Sequence, residues 1–131
     1  MLHPNQFQVM EAWVAFQLNP VPIQTDLDGA FNAFALMDAA SCFLLSSAFI
    51  ATGQGEMMDA EARHVLEEAW SHKQAWPQKL IISVGHHASR LVAESSKLGI
   101  DVIEVPEDAL QPLIQEARDS FAAHFAAGRL H

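Results

Sequence analysis

The segment 23–50, IQTDLDGAFNAFALMDAASCFLLSSAFI, constrains the fold of this chain more than any other part of the sequence. It has the densest apolar content, and two polar breaks, DLDG and DAAS, divide it into three short runs. Asp-Gly pairs and Asp/Ser clusters between apolar runs favour tight turns. The pattern predicts three consecutive antiparallel strands, at about 23–27, 33–37 and 43–50.

The second half of the chain alternates between helical and strand patterns. Apolar residues recur at three- and four-residue steps over about 56–74, which predicts an amphipathic helix. The unbroken run LIISV at 80–84 predicts a strand that is buried on both faces, as in parallel sheets. A helix that ends at Gly99, a strand at 100–105 and a helix over 106–128 complete the chain. A strand that is reached through a helix lies parallel to a neighbour, so we predict an α/β fold with a mixed five-stranded sheet and helices on both faces.

The first twenty residues allow two interpretations. Pro4 could open a helix, because proline is favoured at the first helical position. The apolar face of that helix would comprise Phe7, Met10 and Val14. Alternatively, the run WVAFQL forms an edge strand that ends at Asn19 and Pro20. We expect one domain over 1–131, with an N-terminal extension at 1–20 and a core at 21–127.

Composition indicates a protein of a reducing compartment. Cys42, the single cysteine, lies in an apolar run, which favours a small buried side chain over a disulfide framework. The first residues, MLHPNQ, lack the basic and apolar regions of a signal peptide, so we expect a cytoplasmic location. The apolar stretch 30–50 contains Asp38, whose charge would be costly in lipid, so we expect no membrane span.

The formal net charge of −9 argues against nucleic-acid binding. The seven Lys and Arg residues are scattered along the chain. Affinity for DNA or RNA depends on clustered basic side chains that neutralise phosphates. Protein partners are therefore favoured over nucleic acid.

The order of elements resembles the ribonuclease H-like superfamily, and within it the catalytic core of retroviral integrases and DDE transposases, over about 22–125. TDLDG is similar to the pattern of that family's first strand, and ALMDAAS is similar to the turn between its second and third strands. PQKLIIS is similar to the strand after its first helix. The resemblance implies that Asp26 would be a catalytic carboxylate and Asp38 a structural one. It also implies a glutamate on the last helix, near Glu116.

The chain departs from the family where the second catalytic aspartate belongs. Ser83, Val84, Gly85 and His86 occupy that place. Two-metal chemistry needs carboxylates from several elements to hold cations roughly 4 Å apart. We therefore favour a non-catalytic, degenerate ribonuclease H-like domain that needs no cofactor and binds a partner, a ligand or itself. An exposed apolar edge strand would favour a homodimer or other homo-oligomer.

Two alternatives remain open. The first is a metal-dependent nuclease or phosphoryl-transfer enzyme that uses Asp26, Asp28 and Glu116 with Mg²⁺ or Mn²⁺. Asp26 and Asp28 flank one strand residue, so both carboxylates would point to one side and could hold a divalent cation. The simpler interpretation is that Asp28 begins the turn at Gly29 while Asp26 is hydrogen-bonded locally.

The second alternative is a small-molecule or anion-binding protein. His86 and His87 follow a buried strand and precede a helix, at the position where open α/β sheets bind ligands. Either imidazole could bind a metal, in concert with Asp26, or serve as a base beside a helix N-terminus that attracts anions. The simpler interpretation is that one ring caps the helix and the other is solvated. A pocket would lie at the carboxyl ends of the strands that begin at Ile23 and Leu80.

Overall fold

Six strand segments and three helices make up the part of the chain that the computed structural model describes. That part comprises residues 2–9, 11–19, 23–25, 29–51, 58–83 and 89–128, with side chains for all of these except 23–25 and 124–128. A 3₁₀ turn, Pro4–Gln6, precedes the sheet. The elements are, in chain order, β1 (Ala12–Gln17), β2 (Ile23–Thr25), β3 (Gly29–Asp38), β4 (Leu44–Ala51), α1 (Asp59–Ser71), β5 (Lys79–Ser83), α2 (Ser89–Lys97), β6 (Asp101–Val105) and α3 (Glu107–Gly128).

The sheet is mixed and has five strand positions, as the sequence predicts. Across it the order is β4, β3, β1, β5, β6, and the short β2 pairs with β3 beyond the end of β1. The β2–β3 and β3–β4 pairs are antiparallel, and β5 lies parallel to both β1 and β6. The predicted antiparallel hairpins and the two parallel strands reached through helices are therefore confirmed.

The position of β1 corrects an expectation. Ala12–Gln17 was expected either as part of a helix or as an edge strand, in an extension outside the core. It is the middle strand, paired with β3 on one side and β5 on the other. Both of its faces are buried, because its side chains alternate between two cores. Of the predicted N-terminal helix, only the turn opened by Pro4 forms.

The first strand position is divided into β1 and β2 around Pro20 and Pro22. Proline has no N–H to donate to a ladder, so two prolines at these positions of the sequence favour a break in a central strand. The amide side chain of Asn19 makes the missing contact, because its Oδ1 accepts a 2.7 Å hydrogen bond from the buried N–H of Ala33. Its Nδ2 donates to Asn32 Oδ1 at 3.0 Å. Asn19 thereby holds the chain against β3 where main-chain pairing stops.

Helices cover the two faces of the sheet unequally. The first core joins one face to α1 and α2 and contains Trp13, Leu36, Leu66, Leu80 and Leu91. The second core joins the other face to α3 and contains Val14, Phe16, Met37, Ile81 and Ile114. Complete burial of each such side chain contributes about 1.5–3 kcal/mol to folding. No helix in the described ranges is long and apolar enough to cross a membrane.

Replacing Asn19 with alanine should destabilise the fold by about 1–3 kcal/mol, because a buried N–H loses its acceptor. Urea unfolding would measure this change. Gln115→Ala serves as the control, since Gln115 bonds only to the exposed Asp119 and its loss should change stability by less than about 0.5 kcal/mol. Equal stability of the two variants would show that Asn19 does not hold the broken strand.

Candidate functional site

Most of the predicted site residues lie outside the described residues. This applies to Asp26 and Asp28, and to His86 and His87. The described residues next to them are Thr25 at the end of β2 and Ser83 at the end of β5. The described part of the predicted site therefore consists of the ends of β2 and β5 and of Glu116.

The strand that precedes Asp26 is not a neighbour of β5, contrary to the sequence-based expectation. β5 pairs with β1 and β6, whereas β2 pairs with β3. Thr25 lies opposite Gly29, and Gln17 lies opposite Phe34, five residues along β3. At strand spacing this places Thr25 about 17 Å from the carboxyl end of β1. The predicted pocket between the strands beginning at Ile23 and Leu80 is therefore not formed by adjacent strands.

The Arg118 side chain occupies the carboxyl end of β1, which does adjoin β5. Arg118 of α3 donates from Nε to the main-chain oxygen of Gln17 at 3.0 Å. Its Nη2 donates to a carboxylate oxygen of Glu107 at 2.8 Å. Glu107 and Arg118 are eleven residues, or about three turns, apart and so share one helix face. Only 16% of the Arg118 side chain is exposed, so the guanidinium is largely enclosed at this edge of the sheet.

The described residues at this edge do not fit a pair of divalent cations. β1 ends in the buried Phe16 and in Gln17, and β5 ends in the buried Ser83. The carboxylate found beside them is Glu107, and it is already paired with Arg118. In the described ranges no three His, Cys, Asp or Glu side chains are grouped so that they could hold a metal ion.

Glu116 faces a different part of the molecule. It is exposed on α3 and lines a cavity with Cys42, Leu44 and Phe121. Cys42 belongs to the β3–β4 turn, and its N–H donates to the oxygen of Asp38, which lies opposite Trp13 near the amino end of β1. Glu116 therefore lies towards the end of β1 opposite to Arg118.

Asp38 organises the β3–β4 turn. It is buried, and its Oδ2 accepts hydrogen bonds from the N–H of Ser41 at 2.9 Å and from the Ser41 hydroxyl at 2.7 Å. Such an Asx-type turn is typical of Asp before a reversal of the chain. The geometry agrees with the structural role that the family resemblance implies for Asp38.

Burial raises the pKa of the Cys42 thiol above its usual value, and the negative charges of Glu116 and Asp38 raise it further. The thiol is therefore protonated near neutral pH and is a poor nucleophile. Its Sγ donates weakly to the oxygen of Leu113 at 3.8 Å, which ties the turn to α3. Cys42 is a packing residue at the base of the cavity beside Glu116.

Three cavities in the described part of the chain lie along one segment. The first has a volume of about 390 Å³ and is lined by Val9, Asp38, Ser41, Phe43, Leu45, His72 and Lys73. The second, of about 420 Å³, is the cavity beside Glu116. The third, of about 380 Å³, lies between β4 and α1 and is lined by Ser47, Ala48, Phe49, Ala60, Glu61 and His64. Residues 41–49 contribute to all three, so the concave surface follows β4 and the turn before it.

Sequence reasoning missed the role of Arg118. Its one recognisable signal is that Arg118 is the only Lys or Arg between Glu107 and Gly128. An isolated arginine on an otherwise acidic and apolar helix indicates a specific partner, but it does not identify Gln17, which is 101 residues away in the sequence.

The fold is that of the ribonuclease H-like integrase core. The sequence matches no protein-family model and no curated protein. Solved structures do match. One is the simian T-cell lymphotropic virus intasome in complex with the PP2A regulatory subunit B56 gamma, with a TM-score of 0.60 at 12% sequence identity, over 85% of this chain and 38% of that one. Another is the HTLV-2 integrase catalytic core domain in complex with magnesium, in a dimeric form, with a TM-score of 0.52 at 10% identity, over 73% of this chain and 61% of that one.

These similarities establish the fold and nothing finer. Identities of 10–12% are too low to transfer an activity or a site residue. The matched region also spans less than two thirds of either viral chain. The predicted resemblance to the retroviral integrase core is thus confirmed for the architecture.

Removing the negative charge of Glu116 should make Cys42 more reactive. In Glu116→Gln the thiol pKa falls, so more thiolate is present at a given mildly alkaline pH and alkylation by iodoacetamide is faster. The pH profile of the alkylation rate would measure the shift. Glu104→Gln on the exposed β6 edge is the control and should leave the profile unchanged. A profile that is the same in all three proteins would contradict the electrostatic role of Glu116.

Replacing Arg118 with methionine should lower the free energy of unfolding by about 1.5–3 kcal/mol, because the Gln17 oxygen loses a charged donor. Glu107→Gln keeps that donor and should cost less, because Glu107 is half exposed. Urea unfolding of both variants would measure how much the bond to Gln17 and the ion pair with Glu107 each contribute to stability. A larger loss for Glu107→Gln would mean that the ion pair matters more than the bond to β1.

Proposed function

We propose that this chain is a non-catalytic domain with the integrase-core fold, and that it acts by binding a protein partner, including a second copy of itself, rather than by cutting or joining nucleic acid. The observation that carries the proposal is the Arg118 guanidinium, which bonds to Gln17 and Glu107 at the carboxyl end of the middle strand. The guanidinium fills this place and takes up the carboxylate of Glu107, which is then not available to hold a divalent cation. It occupies the edge at which carboxylates from neighbouring elements would have to meet.

The pairing of the basic side chains supports the same function. Five of the six Lys and Arg residues in the described part of the chain form ion pairs with acidic side chains: Arg63 and Lys97 with Glu94, Lys79 with Glu11, Arg90 with Asp59, and Arg118 with Glu107. Such cations are already neutralised and form no stripe that would follow a phosphate backbone. With a net charge of −9, the chain has little to attract a nucleic acid.

The structural relatives favour protein binding as the activity. One was determined in complex with a phosphatase regulatory subunit, and the other in a dimeric form. Proteins that contain this fold are therefore found in protein–protein assemblies. The cytoplasm remains the expected location, since the chain has one cysteine and no second one with which to form a disulfide within the chain.

We expect the pure protein to show no cleavage of single-stranded, duplex or RNA–DNA hybrid substrates in the presence of Mg²⁺ or Mn²⁺. Asp26→Asn is the matched variant, because it removes the carboxylate that the family resemblance would make catalytic. Cleavage by the wild type that is lost in Asp26→Asn would replace this proposal with the metal-dependent nuclease. Cleavage that persists in the variant would point to a contaminating nuclease.

We also expect Mg²⁺ and Mn²⁺ to leave the melting temperature unchanged. An ion that binds the folded state stabilises it by RT ln(1 + [L]/Kd), which is about 2.7 kcal/mol at 100 times Kd. Thermal melts of the wild type and of His86→Ala would test this. Stabilisation that disappears in His86→Ala would establish the alternative metal site near His86, even if no cleavage were found.

A further inference from the structure

β4 is an edge strand with one free side. In the described part of the chain it pairs with β3 alone, whereas β6 forms the opposite edge. The outer N–H and C=O groups of an edge strand are a template for another strand. One acceptor at its start is occupied within the chain, because His72 Nε2 lies 2.7 Å from the Leu45 oxygen. The free edge therefore begins at about Ser46.

The two edges of the sheet differ in charge. The β6 edge carries Asp101 and Glu104, charged residues of the kind that protect an edge from pairing. The segment 39–55, which includes β4, contains no Asp, Glu, Lys, Arg or Pro. Within this segment itself a second copy therefore meets no like charge, although Glu61 and Glu116 line cavities beside it.

Large apolar side chains lie exposed on one face of this edge. Leu44 pairs with Met37 and Phe49 pairs with Ala33, so both point to the face that α3 covers only in part. Their relative exposures are 42% and 59%. The Phe49 ring contacts the Phe31 ring edge-to-face, with 5.3 Å between the ring centroids. The Phe31–Phe49 ring pair at one end of this edge and Leu44 at the other are thus exposed or partly exposed apolar groups of the kind that marks interaction surfaces.

The size pattern of β4 is nearly symmetrical about Ser47. Three small residues, Ser46 to Ala48, stand between the large pair Leu44 and Leu45 and the large pair Phe49 and Ile50. In an antiparallel pair of two identical strands centred on Ser47, small residues lie opposite small ones and large opposite large. The register shift after Leu36 puts Leu44 on the same face as Phe49, so Phe49 of each copy would meet Leu44 of the other.

We propose that two copies of this chain associate through their β4 strands, paired antiparallel about Ser47 with main-chain hydrogen bonds over Ser46–Ala48, so that the two sheets become one continuous sheet. The inference deepens the self-association in the proposed function by naming the surface and its geometry. A two-fold axis at Ser47 makes the interface isologous, and the association therefore closes as a dimer. Phe49 and Leu44 cover the contact on the α3 face. The cavities that flank β4 lie where side chains of the second copy can enter.

Sedimentation equilibrium of the wild type and of two matched charge variants would test the interface. We expect a wild-type dimer, and in Phe49→Asp a dissociation constant raised by roughly tenfold or more, since a charge would be buried within the contact, next to its two-fold axis. Ile103→Asp introduces the same charge at the opposite edge, where Ile103 is 38% exposed, and should leave the constant unchanged. Circular dichroism and thermal melts would show that both variants fold.

Cysteine cross-linking would test the register independently of stability. Directly opposed residues in an antiparallel pair have Cα atoms about 4.5–5.5 Å apart, which is within the range of about 4.4–6.8 Å that a disulfide spans. Ser47→Cys in a Cys42→Ser background should therefore form a disulfide-linked dimer under mild oxidation. Ser96→Cys on α2, an exposed serine on an element that packs against α1 and β6, should not.

The outcomes separate this inference from the proposed function. A monomeric wild type, or a dimer that Phe49→Asp leaves intact and Ser47→Cys does not cross-link, would overturn the β4 interface. Neither result bears on catalysis, which the cleavage assay decides. Conversely, cleavage that depends on Asp26 would overturn the non-catalytic function even if the β4 dimer formed as expected.

Discussion

The pairing of β1 with both β3 and β5 is the interaction on which the rest of the structure depends. β1 joins an antiparallel half of the sheet to a parallel half, and its side chains enter both cores. A strand buried on two faces must satisfy its main-chain groups through its neighbours, because water cannot reach them. After Leu18, whose N–H donates to the Ala33 oxygen, the Asn19 side chain serves as the acceptor for the Ala33 N–H. β1 thus joins the cores on the two faces of the sheet, and the Asn19 side chain continues its contact with β3.

The same strand decides what chemistry the sheet can support. Ligand sites in open α/β sheets lie beyond the carboxyl ends of parallel strands, which here are β1, β5 and β6. At that edge Arg118 links the end of β1 to the first turn of α3 through Gln17 and Glu107. The contact ties helix to sheet, and it also places a cation where a cation-binding site would need acids. Under the proposed non-catalytic function, one contact would both stabilise the fold and disfavour a metal ion at this edge.

The parts of the fold with strong local signals could be predicted from the sequence. The run at 80–84 is unbroken and β-branched, and the described strand Lys79–Ser83 lies between two parallel neighbours as expected. β1 could not be placed, since the run WVAFQL fits an edge strand while Phe7, Met10 and Val14 fit one face of a helix, and neither pattern points to the middle of a sheet. Its central position follows from long-range pairing that no local pattern encodes. The contact of Arg118 could not be predicted for the same reason, because its partner Gln17 is 101 residues away in the sequence.

The position of α3 determines which side chains are exposed at the β4 edge of the sheet. α3 crosses the face formed by β1, and its middle contacts both Gln17, through Arg118, and the β3–β4 turn, through Leu113. A helix fixed at these two points leaves the outer side chains of β4 uncovered, which is why Phe49 and Leu44 remain exposed on that face. The segment 39–55 contains no charged residue, although Glu61 and Glu116 line cavities beside it. Along β4 the main chains of two acidic molecules can therefore meet with no charged side chain of the strand between them. The Arg118 contact that ties α3 to β1 is therefore one of the two that keep this helix away from the β4 edge.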